Sequence, residues 1–179
     1  IEEATPAENI DVHLIKMDAA ESIFDKECAD CFAQYASSNE TPLKKWENVK
    51  TKLSKLDTRK LHYVKVPENH IVIDFDIKDE DGNKCARKNL EAASKWPPTY
   101  AELSKSGAGI HLHYIYSGDV TKLSRIYEED VEIKVFTGKS SLRRMLTKCN
   151  VQPIATISSG LPLRGDDPLV NWDGIKNER

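Results

Sequence analysis

Residues 71–77 read Ile-Val-Ile-Asp-Phe-Asp-Ile, an apolar run that carries two carboxylates. Side chains alternate between the two faces of a β-strand. The isoleucines and the phenylalanine therefore share one face, and Val72, Asp74 and Asp76 share the other. Two neighbouring acids repel each other and are costly to desolvate unless a cation lies between them. The stretch predicts a strand that packs on one face and binds a divalent cation on the other.

The composition favours one globular domain, with room for an appended sub-domain, in a chain of 179 residues with 39% hydrophobic residues. No apolar run is long enough for a membrane helix, so we expect no membrane partner. The net charge of −3 argues against broad non-specific binding of nucleic acid but allows a local basic surface. Four irregularly spaced cysteines are typical of a reducing cytoplasm. Because the chain begins with Ile1 and lacks a signal pattern, we expect a piece of a longer protein.

Three parts are predicted along the chain: an N-terminal helical lobe over 1–60, a strand-rich unit over 61–165 and a polar tail or linker over 166–179. Apolar residues at helical spacing predict helices over 18–35 and 41–56 in the first part. Asp18 would cap the first helix, and Thr41 followed by proline would begin the second. The tail would lead to a further domain.

The strand-rich unit alternates strands, helices and turns. A glycine-containing tight loop is expected at 107–109, between two of the strands. Helices are predicted over 84–95 and 141–149. Strands are predicted over 62–66, 70–77, 100–104, 110–116 and 131–136.

Three of these strands have one apolar face and one ionisable face. The ionisable faces carry Asp74 and Asp76, then His111 and His113, then Glu132 and Lys134. A solvated sheet face would explain any one of them. If the three strands are antiparallel neighbours, however, their ionisable faces combine into one open site.

Such a site could bind metal ions and a nucleotide. Three carboxylates can hold two Mg²⁺ or Mn²⁺ ions about 3.5–4 Å apart, the arrangement used for in-line phosphoryl transfer. Phosphates would complete the coordination and need donors. The segment Lys105-Ser106-Gly107-Ala108-Gly109 offers a lysine, a hydroxyl and backbone N–H groups that glycine makes accessible. Further cations that could reach a triphosphate or a template backbone are Lys134, Arg143 and Arg144, the last two on the outer face of the predicted helix.

Cys28 and Cys31 have the spacing of half a zinc site. No second pair of ligands is evident, and both cysteines fall on the apolar stripe of their predicted helix. Since free cysteines are commonly buried, we expect core residues rather than zinc ligands.

The motifs together resemble the archaeo-eukaryotic primase superfamily, especially the bifunctional primase–polymerase domains of phages and plasmids. The Asp-x-Asp strand of that family is matched by Asp74 and Asp76. Its Ser-Gly-x-Gly-x-His hairpin is matched by residues 106–111, and its later acidic strand by Glu132. The resemblance covers about residues 60–165 and leaves the N-terminal part unmatched.

The resemblance implies an α+β fold with an RRM-like antiparallel palm. It implies a DNA primase or DNA polymerase of a mobile element, which transfers nucleotides from (d)NTPs to a primer on a single-stranded DNA template. A C-terminal helicase domain often follows such domains. In a phage or plasmid protein this activity would be in the cytoplasm of a bacterial host.

The resemblance also implies roles for individual residues. The carboxylates Asp74, Asp76 and Glu132 would bind Mg²⁺ or Mn²⁺. The catalytic residue His111 and the hydroxyl of Ser106 would bind the phosphates of the nucleotide. One of Lys134, Arg143 and Arg144 would contact the triphosphate, and the sequence leaves open which one.

Three other functions remain possible from the sequence. His111-Leu112-His113 also matches the His-hydrophobic-His motif of rolling-circle replication nucleases, which use a downstream tyrosine. Tyr127 is the nearest one, but it lies in an acidic run without the usual following lysine, and the Asp-x-Asp strand would have no role. A glycosyltransferase with an Asp-x-Asp motif would leave Glu132 unexplained. The last possibility is a nucleic-acid-binding module without catalytic activity.

Overall fold

The computed structural model of the protein describes residues 13–166. This part of the chain has an α+β fold with a six-stranded sheet, a three-stranded sheet and two short helices. The helices are α1 (Ile23–Glu27) and α2 (Ala86–Ala93). The strands are β1 (Ala33–Tyr35), β2 (His62–Val64), β3 (His70–Phe75), β4 (Ala101–Leu103), β5 (Ile110–Tyr116), β6 (Ile126–Glu128), β7 (Val131–Val135), β8 (Leu142–Arg144) and β9 (Ala155–Ile157).

The large sheet has the strand order β4-β5-β3-β7-β6, and β9 pairs with the far end of β5. All of its pairs are antiparallel except β5 with β9. The adjacency of β5, β3 and β7, which the ionisable faces required, is therefore confirmed. The strand bounds are close to the predicted ones. β5 has the predicted limits, and β3 and β7 each begin at the predicted residue but end earlier.

The apolar face of the large sheet forms the first hydrophobic core. Ile71, Ile73 and Phe75 of β3 are buried there with the inward residues of β5 and β7. Helix α2 packs on this face through Ala93 and Leu90. The apolar residues of α2 therefore lie on the one side of the helix that packs against the sheet, as expected for an amphipathic helix.

The opposite face is covered in part by α1 and the small sheet, in which β2 lies between β1 and β8. These elements form a second core that includes Val72 of β3, Phe24 of α1 and Leu142 of β8. β1 and β2 lie on either side of residue 60, so the small sheet joins the N-terminal segment to later strands.

The prediction of an N-terminal helical lobe is wrong for residues 13–60. This segment contains the five-residue helix α1, two 3₁₀ turns (Trp46–Asn48 and Leu53–Lys55) and strand β1. The apolar stripe behind the prediction is not one buried face, because Leu43 is 59% exposed whereas Leu53 is buried. Short isolated helices are marginal, so strand pairing with β2 determines the local structure.

The predicted helix over 141–149 is also wrong, because residues 142–144 form β8 along the edge of β2. Leu142 and Arg144 point inward and Arg143 points outward, which is the alternation of a strand. The predicted tail lies outside the described residues from 167 onward. No helix within residues 13–166 is long and apolar enough to cross a bilayer.

Candidate active site

Four ionisable residues lie side by side across the large sheet, on the face opposite the first core. Glu102 of β4 pairs in register with His111 of β5, His111 pairs with Asp74 of β3, and Asp74 pairs with Glu132 of β7. We call these four residues the outer row. Three of them, His111, Asp74 and Glu132, come from the strands with predicted ionisable faces, so the strand pairing brings together residues that the sequence singled out.

Asp74 lies at the centre of the outer row and contacts two nitrogen-bearing side chains. Its carboxylate oxygens lie 3.2 Å from His111 Nε2 and 3.4 Å from Lys134 Nζ. Burial raises the pKa of Asp74, but the hydrogen bond and charge of His111, with the charge of Lys134, outweigh burial and hold it below its usual value. Asp74 is therefore a carboxylate at neutral pH.

Asp76 follows β3 on the same face and is also neutralised by lysines. Its carboxylate lies 3.2 Å from Lys84 Nζ and 3.5 Å from Lys78 Nζ, and Lys78 also contacts Asp130. Because lysine side chains are long and flexible, these contacts can be exchanged for another cation without a change in the backbone.

A cavity of about 530 Å³ lies between the outer row and the small sheet. Asp74, Asp76 and His111 line it, whereas Glu132 is beside Asp74 and not among the lining residues. The lining cations outnumber the three lining carboxylates, Asp74, Asp76 and Glu102. These cations are Lys84, Lys105, Lys134, Arg143 and Arg144. The charge of the cavity suits an anionic ligand with several negative charges.

The predicted glycine hairpin connects β4 and β5 and places Lys105, Ser106 and Gly109 in the cavity lining. Gly107 has a φ of +84°, which glycine adopts without strain. The backbone N–H groups of Gly107 and Gly109 donate to Ser104, through its carbonyl and hydroxyl respectively. These two N–H groups are therefore already used within the loop, contrary to the prediction that they bind phosphate. Lys105 Nζ and the Ser106 hydroxyl are the donors on this loop that could bind a ligand.

Asn89 of α2 holds the hairpin against the end of β3. Its side-chain amide donates 2.9 Å to the Ala108 carbonyl, and its amide oxygen accepts from the Ile77 N–H at 2.7 Å. A Cβ on Gly109 would lie only 3.0 Å from the Phe75 carbonyl. The hairpin and the carboxylate strand are thus fixed to each other by a buried amide and a close backbone contact.

Arg143 and Arg144 are neighbours on β8 with different environments. Arg143 is exposed at the edge of the cavity, 2.6 Å from a carboxylate oxygen of Glu40. Arg144 is buried, with Nη2 2.7 Å from both Glu102 and Asp25. Burial lowers the pKa of Arg144, but the two carboxylates, led by Glu102, outweigh burial and raise it. Arg144 is held by protein carboxylates, which leaves Arg143 and Lys134 as the more accessible cations for a ligand.

His113 does not join the open site that the sequence predicts, because it is fully buried. Its Nδ1 lies 2.8 Å from Nε2 of His70, and its ring packs against Phe24 and Tyr100. Burial, followed by the nearby charges, holds the pKa of His113 well below its usual value. Strand alternation correctly places His113 on the face of His111, but α1 and the small sheet cover that part of the face.

Among the described residues, no group of three or more His, Cys, Asp or Glu side chains is placed to hold a metal ion as it stands. The donor chemistry nevertheless fits Mg²⁺ or Mn²⁺, because such ions need only one or two protein carboxylates when phosphates supply the other ligands. Asp74 and Asp76 both line the cavity and both attract cationic groups to within 3.5 Å.

The cysteines and Tyr127 lie away from this site. Cys28 is buried in the second core and Cys31 packs against it, with both thiols free. Tyr127 packs against Trp96, with ring centroids 4.7 Å apart and the ring planes tilted by 56°. Trp96 in turn packs on Phe75, on the face of the large sheet opposite His111.

The chain matches no protein-family model, and no curated protein matches it significantly.

Sequence reasoning missed Glu102, Lys84, Asn89 and Glu40. The alternation of β4 could have placed Glu102, since Ala101 and Leu103 flank it. The other three depend on contacts between distant segments, for which the sequence gives no local signal.

Proposed function

We propose that this chain is the catalytic palm of a primase–polymerase, which transfers nucleotides from (d)NTPs to a primer on single-stranded DNA. The observation that carries the proposal is the position of Asp74, in register between His111 and Glu132 and beside a cavity rich in cations. The cellular setting that we propose is replication of a mobile element in the cytoplasm, with a helicase domain in the longer protein.

The residues of the cavity divide into two groups with different roles. Lys105, Ser106 and Arg143 are proposed to bind the triphosphate, because all three line the cavity and carry hydrogen-bond donors. His111 holds Asp74 ionised and can donate to a phosphate oxygen from the same position. Lys84 and Lys134 are proposed to neutralise the carboxylates before the nucleotide binds.

Asp74, Asp76 and Glu132 are the residues proposed to hold Mg²⁺ or Mn²⁺. When bound, the ions would lower the pKa of the attacking hydroxyl and neutralise charge on the phosphates. Glu132 is the most exposed of the three and lies 4.0 Å from Lys134, so its carboxylate has room to turn toward Asp74.

The test is extension of a labelled primer on a single-stranded template with Mg²⁺ or Mn²⁺. Asp74→Asn keeps the size of the side chain and removes its charge, and we expect the extension rate to fall by about a thousandfold. The matched control is Asp30→Asn, the same change at an exposed position outside the cavity, which should retain activity. Undiminished extension by the Asp74 variant would refute the proposal.

The rolling-circle nuclease is less well supported. That mechanism needs two histidines on one metal ion and a tyrosine near them. Here His113 is buried beside His70, and Tyr127 lies on the opposite face of the sheet from His111.

A further inference from the structure

A short loop between Ala36 and Pro42 places Glu40 at the edge of the cavity. Ala36 and Pro42 are bridged by backbone pairing. Within the loop, the Glu40 N–H donates to the Ser37 carbonyl and the Glu40 carbonyl accepts from the buried Tyr63 hydroxyl. Glu40 also has a φ of +64°, in the left-handed region that non-glycine residues rarely adopt. Its backbone is therefore fixed, and its side chain can move only by rotation.

The Glu40 carboxylate connects the two cationic side chains nearest the cavity edge. One oxygen lies 2.6 Å from Arg143 Nη2, and the other lies 3.4 Å from Lys105 Nζ. Arg143 belongs to β8 and Lys105 to the glycine hairpin, so the carboxylate spans the gap between the two sheets. Both cations line the cavity. A tetrahedral phosphate placed between them would use the same donors.

An anion with more negative charge can replace the Glu40 carboxylate in its contacts with Arg143 and Lys105. The three side chains are each about half exposed, and exposed ion pairs contribute little to stability. The hydrogen bonds from Arg143 and Lys105 lower the pKa of Glu40, so it is an anion at neutral pH. A triphosphate carries several charges and more acceptor oxygens, and its hydrogen bonds to Arg143 would be charge-assisted.

We propose that the Glu40 carboxylate occupies the place of a phosphate group between Arg143 and Lys105 and that a polyphosphate ligand displaces it. The inference rests on the proposed function only in naming a nucleoside triphosphate as that ligand. Displacing Glu40 costs every anion the same contacts, so only a ligand that binds Arg143 and Lys105 more strongly than a carboxylate takes its place. A triphosphate is such a ligand, because it carries several charges and more acceptor oxygens.

The experiment is calorimetric titration of inorganic tripolyphosphate, without divalent metal, into the wild-type chain and into Glu40→Gln. We expect the variant to bind about fivefold more tightly, because the competing carboxylate is gone. Glu47→Gln makes the same change of charge at an exposed position of the nearby 3₁₀ turn and is the matched control. The gain should vanish when Arg143→Gln is added to Glu40→Gln.

An unchanged or weaker affinity in Glu40→Gln would overturn the inference, as would an equal gain in Glu47→Gln, which would indicate only the net charge. If Glu40→Gln does not fold, Glu40→Asp replaces it, since the shorter side chain cannot reach both cations. Primer extension is scored separately. A chain that shows the Glu40 effect but extends no primer refutes the proposed function alone, and one that extends primers without the effect refutes the inference alone.

Discussion

The ionisable face of the large sheet has two neighbouring rows with opposite properties. In the outer row Asp74 and His111 face a cavity, whereas in the next row, two residues along each strand, Val72 and His113 are buried and Lys134 is exposed. The difference comes from the cover, because α1 and the small sheet lie over Val72 and His113. In the outer row the same cover reaches only Glu102, which is buried against Arg144.

The same contrast separates Arg143 from Arg144. Arg143 reaches the cavity edge and contacts an exposed glutamate, and Arg144 is enclosed by Glu102, Asp25 and the ring of Phe24. Exposed charges are available to a ligand, while buried charges hold the protein together. The comparison therefore assigns ligand binding to the exposed charges beside the cavity and stability to the charges that α1 and the small sheet cover.

The largest effect on stability is expected for Arg144→Met, which leaves the buried Glu102 without its cationic partner. Loss of one member of a buried ion pair costs about 3–5 kcal/mol of unfolding free energy. Arg143→Gln, one residue away, should change it by less than about 1 kcal/mol. Urea unfolding measures both values. Equal losses of unfolding free energy in the two variants would contradict the distinction between exposed and covered charges.

A smaller effect is expected from pH, through the buried pair His70 and His113. Burial, then the charge of Arg144, lowers the pKa of His70 to about 4. The unfolded chain therefore binds more protons than the folded chain between about pH 6.5 and pH 4, so stability falls as the pH decreases through this window. The loss attributable to His70 should be on the order of 3 kcal/mol.

Thermal or urea unfolding at several pH values checks this prediction. His70→Gln removes one of the two buried titrating histidines and should reduce the slope in that window. The matched control is His13→Gln, at an exposed histidine, which should keep the slope of the wild-type chain. An unchanged slope in His70→Gln would show that the covered histidines do not titrate as expected.

The smallest effect on stability is expected for His111→Gln in the outer row. The pair with Asp74 is partly exposed, so the unfolding free energy should change by less than about 1 kcal/mol. The pKa of Asp74 should nevertheless rise, because the hydrogen bond and charge of His111 are its principal lowering influences. Carbon-detected NMR titration of the Asp74 carboxyl measures this shift, and a pKa that stays unchanged would contradict the assigned role of His111.

The sequence predicts the large sheet because its central strands are long enough to show alternation. β3 and β5 are six and seven residues long and keep one face apolar throughout, while the other face carries Asp74 in β3 and His111 and His113 in β5. Alternation predicts the face on which Asp74, His111 and Glu132 lie, but the adjacency of their strands was a condition of the predicted site. The pairing of β3 with β5 and β7 meets that condition and puts the three residues in one row.

The small sheet could not be predicted in the same way. The strand predicted over 62–66 is confirmed as β2, but β1 and β8 have three residues each, too few to distinguish strand alternation from helical spacing, and both were predicted as helix. Their positions depend on long-range pairs such as Tyr35 with His62 and His62 with Arg144. Because the small sheet covers His113 and encloses Arg144, both residues were misplaced along with it.

The small sheet also has a consequence for how the chain folds. His62 and Arg144 are 82 residues apart, so β2 has no partner on one edge until most of the chain has been synthesised. Closing so long a loop is slow, and proteins rich in distant pairs fold slowly. The strands of the outer row can pair once β7 has emerged from the ribosome, but Glu102 stays without its arginine until β8 follows. The cavity is complete only when β8 has emerged, so a nascent chain has Asp74 and His111 in place before Arg143 and Arg144 can join them.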